Sequence, residues 1–181
     1  MSDANETPAD APSQPLLEHD PRRGQPYMRW LRGFVGSAPL IMPAAAACIR
    51  DSRGRVLLMR RGGELSELWG FPGGAMELGE SAADAAVREA REEVGLEVVA
   101  ERLIGVYSGP EFGFRYPGGD QVQLLLLFFE CQVRGGTLRA DGDESLEVRY
   151  FGADDVPPPM RACCQAKLRD AFAPQTAAYF R

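Results

Sequence analysis

Residues 74–96 read GAMELGESAADAAVREAREEVGL, and the reading of the fold starts from them. The stretch holds six acids (Glu77, Glu80, Asp84, Glu89, Glu92, Glu93) and two bases (Arg88, Arg91), net −4 in 23 residues against −6 for all 181. Its spacing predicts a helix over residues 81–94. On that helix Glu89 precedes Glu92 by three residues and Glu93 by four, which places the carboxylates on neighbouring surface. Val87, Ala90 and Val94 mark the opposite, core-facing side. Like charges at this spacing repel by about 0.2–0.5 kcal/mol each on a wet surface, and by more where water is excluded. Such a cluster invites a cation. Hard oxygen donors with no histidine or cysteine nearby select magnesium or manganese over zinc. Charge clustering alone suits a solvated acidic helix face with arginine pairs equally well.

The flanking residues change that balance. Phe71-Pro72-Gly73-Gly74 enters the helix through a loop whose glycines let backbone approach a metal or phosphate closely. Gly74, Glu80, Arg88, Glu89, Glu92, Glu93 and Gly95, with Ala90 and Leu96 at the aliphatic positions, match a fixed pattern: Gly, five residues, Glu, seven residues, Arg-Glu, an aliphatic, any residue, Glu-Glu, any residue, Gly, aliphatic. The segment resembles the Nudix box, and the resemblance extends over residues 43–151.

That resemblance implies a Nudix fold, an α/β (α+β) architecture in which a mixed sheet lies between helices. It implies a hydrolase that uses Mg²⁺, or Mn²⁺ in its place, to cleave a phosphoanhydride bond by water attack. Glu89, Glu92 and Glu93 become expected metal ligands and catalytic residues, with the Gly73 carbonyl as an added ligand. Arg88 is expected to orient these glutamates, and Glu80 to brace the loop against the helix. Many members take a further carboxylate from a loop after the long strand; Glu144 of Asp141-Gly142-Asp143-Glu144 is the candidate, with a solvated loop acid as the alternative. ADP-ribose pyrophosphatases carry a proline downstream of the box. Pro110 stands 14 residues after Leu96, where a plain turn residue is the other reading. The favoured substrate is therefore a small nucleotide of ADP-ribose or nucleotide-sugar type. A nucleotide-binding regulatory module without turnover is the alternative, but it would usually have lost one of the three box glutamates. An isomerase on this fold would want an added cysteine or metal-binding histidines.

Working outward, the chain divides into a disordered leader (1–26), a short helix (27–36), a Nudix domain with its closing helix (37–174) and a tail (175–181). The leader holds five of the 14 prolines and five acids, too little apolar surface to offset its ordering entropy. Tyr27, Trp30, Leu31 and Phe34 form a helical apolar stripe, a core or homodimer contact, with Gly36 as its stop. Residues 44–49 and 56–59 read as strands around Asp51-Ser52-Arg53-Gly54, a hairpin loop by composition. Further strands are expected over 96–100, 103–107, 122–131 and 146–151, and a helix over 160–172. Leu124 to Phe129 are six apolar residues in a row, as in a strand buried on both faces. Trp69, Phe112, Phe114 and Tyr116 are candidates to stack on a nucleobase, although aromatics of this kind are more often core. Arg60 and Arg61 are candidates to contact phosphates, with solvated surface arginines as the alternative.

Bulk properties exclude several classes. A sequence pI of about 4.9 argues against a nucleic-acid backbone as partner. No apolar run approaches the roughly 20 residues that span a bilayer, so no membrane partner is expected. Residues 1–6 carry two acids and no base, unlike a secretory signal; the expected location is cytoplasmic. His19 is the only histidine, which removes Ser–His and Cys–His catalysis. Cys48, Cys131, Cys163 and Cys164 lack zinc spacing and read as idle thiols in a reducing compartment.

Overall fold

The computed structural model describes residues 20, 22, 24–63, 68–156, 159, 160, 162–174 and 176–181. Most of the expected leader, His19 included, lies outside the described residues. So do Pro157 and Pro158.

Ten residues organise the core. Strand β1 (Leu40–Ile49) runs parallel to β7 (Gln121–Gly136), with Leu40 opposite Val122 and Ile49 opposite Cys131. On its other side β1 pairs antiparallel with β4 (Gly73–Ala75). Beyond β7 lie β5 (Leu96–Tyr107), antiparallel, and then β9 (Tyr179–Phe180), parallel to β5. The short β6 (Gly113–Arg115) also pairs with β7, completing a mixed sheet. A second, antiparallel sheet has the order β3 (Trp69–Gly70), β2 (Val56–Arg61), β8 (Ser145–Phe151).

Side chains alternate across a strand, so β1 faces two cores. Met42, Ala44, Ala46 and Cys48 pack with Cys163, Cys164 and Ala171 of helix α3 (Ala162–Phe172). Ala47 and Ile49 pack with Ala90 and Val94 of helix α2 (Ala82–Val94), and Ala45 packs with Ala85 and Ala86. Helices thus cover opposite faces of the sheet, the α/β/α sandwich expected. Helix α1 (Tyr27–Val35) precedes it and ends at Gly36, as expected. Among the described residues no helix is long and apolar enough to cross a membrane.

Helix α2 begins where its chemistry predicts. The Ser81 hydroxyl caps the Asp84 amide and the Asp84 carboxylate returns a bond from the Ser81 amide, a reciprocal capping box. Gly95 ends the helix in the left-handed region, φ 71°, closing its last carbonyls.

Four expectations need correction. Residues 51–54 do form a tight turn, but β1 and β2 share only the bridge Arg50–Val56 and then part into different sheets. Composition specifies the turn and is silent on divergence after it. Residues 96–107 form one strand with bulges rather than two strands. The run 124–129 alternates, with Leu124, Leu126 and Phe128 buried and Leu125 37% exposed, so one face is only partly covered. Finally, the stretch expected only as a tail ends in a strand: Tyr179 and Phe180 extend the sheet, and Arg181 pairs with Asp170 at 2.8 Å.

Candidate active site

Helix α2 aims its acids inward. Glu93 is 1% exposed and Glu89 7%, on the same buried side as Ala86 and Ala90. This corrects the expectation of an outer carboxylate face opposite the core. Glu92 alone of the three box glutamates faces out, its side chain about half exposed.

Each buried carboxylate is held by an arginine, and Glu93 by a backbone amide as well. The Gly73 amide donates to Glu93 Oε2 at 2.7 Å, while Arg61 Nη1 lies 3.4 Å from Oε1. Arg61 Nη2 also donates to the Gly73 carbonyl at 2.8 Å, so the carbonyl expected as a ligand is held by a guanidinium here. Gly74 leaves the space Glu89 needs, since a Cβ there would lie 2.6 Å from Glu89 Oε1. Arg88 Nη1 donates to Glu89 Oε1 at 2.6 Å and to Glu92 Oε2 at 3.1 Å. Its Nε and Nη2 grip both oxygens of Glu80, at 3.0 and 2.8 Å, and Nη2 reaches the Ala75 carbonyl at 3.0 Å. Glu80 in turn accepts from the Glu77 amide at 2.6 Å. Arg88 thus ties the loop, the helix start and two box acids together.

Glu144 arrives from the loop before β8. One ligand oxygen each from Glu89, Glu93 and Glu144 lies within 4.8 Å of the others. The loop is fixed from below: the Ser145 hydroxyl donates to the Glu93 carbonyl at 2.5 Å, and the Gly62 amide donates to the Glu144 carbonyl at 2.9 Å. Sequence reading did not single out Ser145, because a buried serine between Glu144 and Leu146 carries no periodic signal.

Burial pushes Glu93 up to about 8, against the pull of Arg61, and raises Glu89 despite Arg88. Two carboxylates that resist ionisation, joined by a third within ligand distance, fit a divalent cation with oxygen preference. Glu89, Glu93 and Glu144 are the residues that would hold it.

Beside this group lies a cavity of about 260 Å³, its wall including Arg61, Gly73, Gly74, Phe114, Tyr116 and Lys167. Of the four aromatic candidates, Phe114 and Tyr116 line it. Trp69 and Phe112 do not; they are 5% and 4% exposed and pack in the core against Phe151 and Tyr107. Their proposed stacking on substrate is corrected accordingly. Arg60 is 3.4 Å from Glu147 on the adjacent β8, and its neighbour Arg61 is the arginine on the cavity wall. All four cysteines are buried thiols outside any disulfide, and burial pushes the Cys48 thiol up to about 12.

The family model of the NUDIX domain matches residues 40–172, and the chain belongs to that family. An ADP-ribose pyrophosphatase of Methanocaldococcus jannaschii is 35% identical over 102 residues, which cover 56% of each chain. A MutT-like protein of Streptomyces ambofaciens is 31% identical over 136 residues, 75% of this chain and 80% of that one. The fold is similar to that of an ADP-ribose pyrophosphatase from Streptococcus suis, with TM-score 0.59 and 23% identity over 78% of this chain and 98% of that one.

Proposed function

We propose that the chain is a Mg²⁺-dependent pyrophosphohydrolase, with Mn²⁺ able to replace Mg²⁺. It cleaves the phosphoanhydride bond of a nucleoside diphosphate linked to a second moiety, of ADP-ribose or nucleotide-sugar type. The observation that carries this reading is the meeting of Glu89, Glu93 and Glu144 at the edge of an apolar cavity large enough to admit an organic group. The name of the archaeal relative favours the same class.

A divalent cation bound there supplies charge neutralisation of the diphosphate and acidifies a water molecule. The chain supplies the rest. Glu89, Glu93 and Glu144 would hold the cation, and one carboxylate of the box or of the Glu144 loop would take the proton of the attacking water. Arg88 keeps Glu89 and Glu92 in position through charge-assisted bonds. Arg61 faces both Glu93 and the cavity, where a guanidinium suits a phosphate oxygen. Phe114 and Tyr116 offer rings to a nucleobase.

The test is hydrolysis with and without Mg²⁺ over ADP-ribose, nucleotide sugars, dinucleoside polyphosphates and oxidised nucleoside triphosphates. The reading expects cation-dependent release of a nucleoside monophosphate from at least one of the first two classes. Binding of such compounds with no product at any Mg²⁺ concentration would favour a regulatory module instead.

A further inference from the structure

Helix α3 lies outside the sequence pattern that drew attention to α2, yet it contributes a charged side chain to the cavity. Cys163, Cys164 and Lys167 are spaced at i, i+1 and i+4, so they share the inward helix face, and all three line the cavity wall. Lys167 is 4% exposed. Its Nζ lies 5.7 Å from the ring centroids of both Phe71 and Phe128. Among the described residues no carboxylate lies within ion-pair distance of it and no acceptor takes its hydrogen bonds. The nearest acid along that helix face, Asp170, is committed to the Tyr107 hydroxyl at 2.9 Å and to Arg181.

Among the described residues no sealed side-chain nitrogen lacks a partner, so the ammonium opens to the cavity, where two aromatic faces attract a cation. The other cation on this wall, Arg61, is engaged by Glu93 and Gly73. Lys167 is therefore a donor on the wall of a pocket whose lining includes Phe71, Leu124 and Leu126. An ammonium has three donors and no acceptor. It suits a base edge made of acceptors, such as O6 and N7 of guanine or a uracil carbonyl. The corresponding edge of adenine sets an amino donor beside its acceptor.

We propose that Lys167 reads the substrate's base, so that the cavity selects a keto-base nucleotide, guanine or uracil, over adenine. This rests on the reading of the site as a nucleoside diphosphate hydrolase, and narrows it towards nucleotide sugars rather than ADP-ribose. The phosphates are placed by the glutamates' cation and Arg61, which leaves Lys167, among aromatic rings, for the organic end.

The experiment compares kcat/KM for GDP-glucose, UDP-glucose and ADP-glucose, and calorimetric binding of GMP, UMP and AMP. Wild type, Lys167→Met and Lys167→Arg are measured with a thermal melt of each. Wild type is expected to favour at least one keto-base partner over its adenine counterpart by about tenfold or more, the worth of one good base contact. Lys167→Met should erase that preference, lowering kcat/KM for the keto-base substrate about tenfold relative to ADP-glucose, while Lys167→Arg retains it. Equal or better use of adenine by wild type overturns the proposal. An equal loss on all three substrates also overturns it, since the lysine would then hold a shared phosphate. If both variants fail to fold, the wild-type preference alone decides. Hydrolysis without base preference sinks this inference and spares the hydrolase reading. A Lys167-dependent preference in monophosphate binding without hydrolysis does the reverse.

Discussion

Arg61 and Glu93 form an ion pair between β2 and α2, with Nη1 3.4 Å from Oε1 and the carboxylate 1% exposed. The guanidinium supplies, in the metal-free protein, part of the positive charge that a cation would bring. Above pH 8, where Glu93 is ionised, Arg61→Gln strands a buried carboxylate, which costs on the order of 3 kcal/mol. Its melting temperature without metal should fall by several degrees, and the rise on adding Mg²⁺ should exceed that of wild type. Equal melts with and without metal in both proteins would contradict this role.

Titration of Glu93 gives a signed prediction. Its folded value of about 8 lies above the ordinary 4.5, so the folded protein holds a proton that the unfolded chain releases. Stability contributed by that proton is complete below pH 4.5 and is lost as pH rises through 8. Metal-free wild type should thus lose stability between those limits, and Glu93→Gln should flatten this part of the profile. Denaturant midpoints across the range measure it. A slope in the variant as steep as in wild type would assign the effect elsewhere.

The same variant tests the chemistry. Glu93→Gln keeps size and removes an anionic ligand, so Mg²⁺-dependent turnover should fall by about a hundredfold or more, the scale of losing one electrostatic stabiliser. Glu144→Gln, on a loop rather than the buried helix face, should lose less. Near-full activity of Glu93→Gln at limiting Mg²⁺ would remove this carboxylate from the metal site.

Gly74 predicts activity lost without stability. An alanine Cβ would meet the end of the Glu89 side chain at 2.6 Å, a group able to swing aside. Gly74→Ala should melt within a few degrees of wild type yet lose about tenfold or more in kcat, because Glu89 is displaced. A large fall in melting temperature would show that the carboxylate cannot yield.

How far this was legible in the sequence depends on the length scale of each signal. The capping box at Ser81, the stop at Gly95 and the clustering of Glu89, Glu92 and Glu93 are local, and all can be read from residues 74–96. The inward aim of Glu89 and Glu93 is not, because Ala85, Ala86 and Ala90 are small enough for the helix to pack close with acids on the same side. Ring placement was equally hidden. Phe112 and Phe114 differ by two positions, yet the turn at Pro110–Phe112 buries the first and carries the second to the cavity. Lys167 gave no signal, since one lysine on a helix ordinarily reads as solvated.

The parallel pairing of β1 with β7 also sets a timetable for synthesis. Leu40 must wait for Val122, and Ile49 for Cys131, before the middle of the sheet can close. At a ribosomal rate of roughly 5–20 residues per second, the alanine-rich strand and the acidic helix emerge seconds before the strand that completes their shelter. Contacts so distant in the chain slow folding, and during that interval β1 presents an unpaired apolar edge. Until β7 has emerged, that edge is a template on which another chain could pair.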